Sequence, residues 1–245
     1  MIVCVGLATR DTIYALPRHP APDDRVVATE RVVAGGGPAA TAAVAAARLG
    51  ADVRFVGIVD GELESVDVVR MPGRMIESTI LVGDGTRAIV TEEPERFTVS
   101  ADLLDGADWV HVDHVGYAAL PVPSNSLLLS VDGGNAVEGL DLSRVTLYSP
   151  TQERDDGGRA RITVVTRGAD GCTAYVDGDS FDVPGYPVDA VSTLGAGDVF
   201  HGALVACLDR GLELRDALVK ANAAAALSCR ALDGRSAIPS WEELP

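Results

Sequence analysis

An α/β fold with a central, mainly parallel sheet flanked by helices is what this sequence predicts, on three observations. The opening run Ile2 to Leu7 is apolar with little alternation, as in a strand buried on both faces. A helix and a second strand follow, giving a strand–helix–strand unit that ends at residue 59. Strand-like and helix-like segments then alternate as far as two C-terminal helices. At 245 residues the length suits a single domain, 1–245.

Taken in order, Thr12 to Leu16 and Val26 to Val33 are β-like pieces around a Pro-rich turn. Gly35-Gly36-Gly37-Pro38 opens the alanine-rich helix Ala39 to Leu49, which Gly50 ends. Pro just inside a helix start and Gly just past its end are the usual punctuation. Val53 to Val59 returns as a strand, and residues 78–92 read as a hairpin turning at Gly83-Asp84-Gly85. Trp109 to Val112, Leu127 to Val131 and Val145 to Tyr148 are further short strands. Ile162 to Thr166 and Cys172 to Val176 flank the tight turn Arg167-Gly168-Ala169-Asp170-Gly171. Helices Asp198 to Asp209 and Glu213 to Cys229 follow, parted by Gly211.

The middle is thin. Ser149 to Arg161 has no helical period, and the joins near Gly61 and over Ala118 to Ser126 are similarly short. Parallel neighbours need a crossover of roughly a dozen or more residues, usually carrying a helix. Either the fold is trimmed, or segments of the biological chain are missing from the sequence.

Composition narrows the function. Hydrophobic residues at 47% and charged residues at 23% describe a globular chain. Acidic groups number 36 against 20 basic, a net charge of −16. The basic set holds one lysine, Lys220; it follows Val219, so there is no Gly-Lys of a P-loop. An early-strand phosphate lysine of the protein-kinase type is absent, and Schiff-base chemistry would have to use Lys220 itself. Clustered positive charge is lacking, which excludes nucleic acid as a partner. No apolar run approaches about 18 residues, so no membrane helix is expected. Met1 to Ala8 lacks a basic flank and a cleavage site and reads as strand, not signal peptide. Cys4, Cys172, Cys207 and Cys229 stand singly in apolar runs, as buried reduced thiols of a cytoplasmic protein. The acid excess serves solubility; it suits a salt-rich setting, while a GC-rich genome would equally favour Arg over Lys.

The most specific stretch is Ser192-Thr193-Leu194-Gly195-Ala196-Gly197-Asp198-Val199-Phe200-His201-Gly202, leading into an apolar helix. Gly195, Ala196 and Gly197 let backbone N–H groups converge where the helix dipole favours negative charge. Asp198, on the first turn, is placed to take a proton from an attacking hydroxyl. That is the logic of phosphoryl transfer. An ordinary Gly-rich turn with a first-turn acid is the plain alternative.

This stretch resembles the C-terminal signature of the ribokinase/PfkB carbohydrate kinases, and Gly35 to Ala43, running on to Leu49-Gly50-Ala51, resembles their second signature. The resemblance covers residue 2 to about 239. It implies Asp198 as the base and Gly195, Ala196 and Gly197 as the anion hole. It implies sugar contacts from Asp11, Gly36, Gly37 and Thr41, and nucleotide contacts from Thr166, Gly168, Gly171, Asn222 and Gly234. The strands at 12–34 and 78–92 become a β lid over the sugar, which often pairs with a second subunit in a homodimer. ATP and magnesium are the implied cofactors, the metal neutralising a triphosphate that no lysine meets.

Two departures stand out. Ser192-Thr193-Leu194 replaces the family's Asp-Thr-Thr, so its monovalent-cation site lacks a carboxylate. Its Asn-x-x-Glu magnesium motif has no clean counterpart, and Glu153 is the nearest candidate. The motif runs are most similar to the sulfofructose kinases. A sulfonate calls for a fixed arginine, for which Arg25 in the lid is the candidate. His114 is either a sugar contact or a satisfied strand-end histidine, and His201 reads as packing. Asp113 and Asp132 sit at strand ends, as cleft acids or as solvated loop residues. The expected activity is ATP-dependent phosphorylation of a primary hydroxyl of a small, ketohexose-like sugar. A nucleoside kinase of the same family, or a catalytically weak nucleotide- and sugar-binding protein, is the alternative.

Overall fold

Every residue of the first strand, β1 (Ile2–Val5), is buried, because both of its faces are covered. Ile2 and Cys4 point into one core and Val3 and Val5 into a second, following the two-residue period of a strand. The computed structural model describes residues 1–121 and 127–245. In it the chain continues through β2 (Thr9–Ala15), β3 (Glu30–Gly36), α1 (Pro38–Arg48), β4 (Val53–Gly57), β5 (Asp67–Arg70), β6 (Ile76–Gly83), β7 (Thr86–Thr91) and β8 (Trp109–Val112). Then come α2 (His114–Ala119), β9 (Leu128–Gly133), β10 (Leu147–Pro150), β11 (Ile162–Thr166), β12 (Cys172–Val176), β13 (Asp179–Val183), α3 (Ala196–Asp209) and α4 (Leu214–Ser228).

Nine strands form one sheet in the order β13-β12-β11-β10-β9-β8-β1-β4-β5. From β11 to β5 all neighbours are parallel, and β12 and β13 add an antiparallel edge. The remaining four strands make a second, smaller sheet in the order β3-β2-β6-β7. It holds the segments expected to form the lid. Its β6–β7 hairpin turns at Asp84 and Gly85, both with positive φ as a tight two-residue hairpin turn demands.

The three long helices share one face. Alanine-rich α1 packs with α3 and α4 on the side of Ile2, Cys4, Phe55 and Leu147. The opposite face, with Val3, Val5, Val110 and Val131, is covered by short α2, by single 3-10 turns such as the one that buries Leu104, and by loop residues such as Val99. This explains the thin middle. The β9–β10 and β10–β11 crossovers carry one 3-10 turn each, at Leu142–Arg144 and Gln152–Arg154, where a helix is the norm. Of the short joins, 122–126 lies outside the described residues.

Three elements were not foreseen: β5, β13 and α2. β5 is four residues on the sheet edge, and β13, Asp-Ser-Phe-Asp-Val, alternates polar and apolar side chains over only its last four residues, too briefly to stand out. The strand expected from Val145 begins at Leu147, because Val145 closes the preceding 3-10 turn. Among the described residues no helix is long and apolar enough to cross a membrane.

The crossing of α1 and α3 is set by Gly202, where a Cβ would stand 2.1 Å from the carbonyl oxygen of Ala42. Neither backbone can yield locally, so Gly202→Ala should force the helices apart. A loss of about 1–3 kcal/mol in urea unfolding is expected; unchanged stability would refute this account of the contact.

Candidate active site

A cleft of about 490 Å³ opens between the lid sheet and the C-terminal ends of the parallel strands. One end is built by the turn before α3. Gly195 caps this helix in the left-handed conformation (φ +73°), and a Cβ there would press on the Gly234 Cα at 2.9 Å. Both features require glycine. Gly197 is different: a Cβ there would meet nothing within 4 Å, so its missing side chain leaves open space in the cleft. Among the described residues no acceptor takes the backbone N–H groups of Gly197 and Asp198. They are the free donors of a helix N-terminus, which attract an anion.

Asp198 lines the cleft beside these donors. Burial first, then the negative charge of Asp132, push its carboxyl up to about 7, against the pull of His201 and Arg87. A carboxylate with that proton affinity suits a general base near neutral pH.

The other end of the cleft gathers Asp11, Thr9, Gly36, Gly37 and Thr41. Asp11 is buried and accepts a hydrogen bond from Thr9 Oγ1 at 2.6 Å. Burial raises its pKa. Gly36 must lack a side chain, since a Cβ would fall 1.9 Å from Asp11 Oδ2. Thr41 Oγ1 and the Gly36 carbonyl accept from Arg235, at 3.1 and 2.6 Å. Burial lowers that guanidinium to about 10, although the Asp11 charge favours its charged form.

Asp113 is neither of the things expected of it. Its buried carboxylate accepts backbone N–H bonds from Leu7 (2.8 Å), Ala39 (3.2 Å), Val115 (3.0 Å) and Gly116 (2.8 Å). It caps α2 and ties β1's exit and α1's start to the same point.

Asp132 is a cleft acid. His201 is more than packing, because its Nδ1 lies 3.2 Å from Asp132 Oδ2, an ion-pair contact off the line of a good hydrogen bond. Burial opposes charge on both, but each favours the charged form of the other. The Asp132 carboxyl sits at about 2, and His201 is raised above its ordinary value. Beneath them His111 is bonded to Ser130, and burial pushes it down to about 3.

Of the other expected residues, His114, Thr166 and Gly234 line the cleft, and His114 Nδ1 is buried without a partner. Ala196 does not line the cleft, and its N–H donates to the Thr193 carbonyl at 3.3 Å, so it is not one of the free donors. Several do not reach the cleft. Arg25 is exposed on the loop between β2 and β3, and Glu153 is exposed on its 3-10 turn. Gly168 and Gly171 shape the β11–β12 turn, where a Cβ at Gly171 would strike the Val183 carbonyl at 2.2 Å. Asn222 is buried under β13 and donates to the Pro184 carbonyl at 3.1 Å. Arg87 and Arg235 were not singled out from the sequence. Lid alternation pairs Arg87 with Ile89 and Thr91 on one face, but it does not say which face turns inward.

No group of three or more His, Cys, Asp or Glu side chains among the described residues is arranged to hold a metal ion. Glu153 lies outside the cleft, and Asp132 is engaged by His201 and by the Gly134 N–H.

The profile described as pfkB family carbohydrate kinase matches residues 1–67 and 152–241. An ATP-dependent ribose-1-phosphate kinase of Halopiger xanaduensis is 24% identical over 278 aligned positions, covering 96% of this chain and 94% of that one. The ribokinase of Bacillus subtilis is 22% identical over 285, covering 99% and 97%. A putative ribokinase from Agrobacterium tumefaciens, whose structure is solved, superimposes with a TM-score of 0.80 at 25% identity, covering 99% and 95%. This is the ribokinase-like fold. The sulfofructose kinases are not singled out by these likenesses.

Removing the carboxylate of Asp113 strands buried N–H donors from three elements. Asp113→Ala should cost at least about 3 kcal/mol in chemical denaturation; a loss below about 1 kcal/mol would show that these donors find other partners.

Proposed function

The chain belongs to the pfkB family of carbohydrate kinases and is a sugar or nucleoside phosphotransferase acting on an alcohol group; on that premise we propose that it transfers the γ-phosphate of ATP to a primary hydroxyl of a small, ketohexose-like sugar. The observation that carries this reading is the placement of Asp198 beside the unpaired N–H groups of Gly197 and Asp198, in one cleft with Asp11. Asp11, His114 and the Gly36–Gly37 backbone hold the acceptor hydroxyls. Asp198 takes the proton of the attacking hydroxyl, and the α3 N-terminus stabilises charge developing on the transferred phosphate. Thr166 and Gly234 flank the nucleotide.

Magnesium, if bound, would be held through the ATP phosphates and water, and would supply charge neutralisation of the triphosphate. The buried thiols suit a reducing cytoplasm. Exposed Val33 (49%) and Val90 (67%) on the outer face of the lid sheet favour a homodimer through the lid. Light scattering should give twice the chain mass, reduced to one by Val90→Glu; a monomeric wild type would refute that assembly.

ADP release against ketoses, aldoses, ribose 1-phosphate and nucleosides tests the activity. A ketose should lead. Silence across the panel with measurable ATP binding would instead leave a binding protein. With the active acceptor, Asp198→Asn should lower kcat by at least about 10²-fold with affinities little changed. Because the base must be ionised, kcat/KM should fall as pH drops below about 7, the value at which Asp198 is held. Retained turnover in the variant, or a flat profile from pH 5 to 8, would remove Asp198 from this role.

A further inference from the structure

We infer that Arg87, on the inner face of the lid sheet, contacts the transferring phosphate and is a catalytic residue of this chain. The inference rests on the kinase reading. Among the described residues lining the cleft, Arg87 is the one arginine or lysine, in company with Asp11, Glu92, Asp132 and Asp198. The single lysine is remote from it: Lys220 lies over the Trp241 ring and donates to Pro245. A phosphoryl group entering this cleft meets backbone dipoles at α3, and among the described lining residues Arg87 is the cation not already paired with a carboxylate.

Two independent observations place that charge. Arg87 Nη1 donates to Thr193 Oγ1 at 2.8 Å, two residues before Gly195. This neutral acceptor engages one donor, and no carboxylate among the described residues lies within 4.0 Å of the guanidinium. A guanidinium has five donors in a planar fork that matches phosphate oxygens. Separately, Ile13 and Ile80 of the lid pack with Leu194 and Leu232, so apolar contact seats the lid on the anion-hole turn itself. Leu194 is thus a docking residue, and the lid's position over the turn does not depend on Arg87.

In the step, the acceptor oxygen bonds to the γ-phosphorus. The bond from that phosphorus to the β–γ bridging oxygen breaks, with its electron pair leaving on ADP, and the acceptor proton passes to Asp198. Arg87 offsets negative charge on the phosphoryl oxygens in transit.

The test uses purified full-length protein with MgATP and the acceptor on which the wild type is most active. Arg87→Ala should lower kcat by about 10²-fold, with KM for the acceptor and ATP affinity within about threefold. Arg87→Lys should recover part of the loss, because it restores charge without the fork. Unchanged kcat in Arg87→Ala overturns the inference while leaving the kinase reading intact. A raised acceptor KM with kcat unchanged also overturns it and makes Arg87 an acceptor contact. A wild type silent on every acceptor removes the kinase reading and the inference together.

Discussion

The carboxylate of Asp113 is the point on which the cleft's architecture depends. Four backbone N–H groups from β1's exit, α1's start and α2 converge on it, and it is buried among them. Its two oxygens satisfy donors that would otherwise be orphaned at two helix starts and a strand end. Gly37 must then turn sharply between β3 and α1, with positive φ, because a Cβ would strike the Leu7 carbonyl. The Gly36–Gly37 end of the cleft is therefore hung from a buried carboxyl that does not itself line it.

A second dependency joins the two ends. Gly234 packs against Gly195 of the anion-hole turn, while its neighbour Arg235 grips Gly36 and Thr41. Consecutive residues thus hold the Gly195 end and the Gly36–Thr41 end of the cleft in register. The long helices that carry the turn and the loop lie on one face of the sheet, and the abbreviated crossovers lie on the other.

Much of this was legible beforehand where the determinant is local. β8, β11 and β12 appear within the bounds expected, and the lid hairpin turns where Gly83-Asp84-Gly85 required. β5, β13 and α2 were not legible. Each is short, and what makes them regular is a neighbour: β4, β12 and the Asp113 cap. Asp113 and Asp132 occupy equivalent strand-end positions in the sequence, yet one is a backbone clamp and the other a cleft acid paired with His201. Nothing in the adjacent residues separates those fates.

By itself the sequence determined the α/β alternation, the Gly-rich entrance to α1, and the turn that aims free N–H groups and Asp198 at one point. These are contiguous patterns whose geometry follows from backbone freedom at glycine and from helix polarity. Tertiary structure alone decided that Arg87 faces inward, that Arg25 and Glu153 stay outside, and that Asn222 supports a strand. It also decided that His201 sits against a buried aspartate. The physical reason is that side-chain direction depends on residues tens to about a hundred positions away, such as Thr193 for Arg87, Pro184 for Asn222 and Asp132 for His201, which only packing brings within reach.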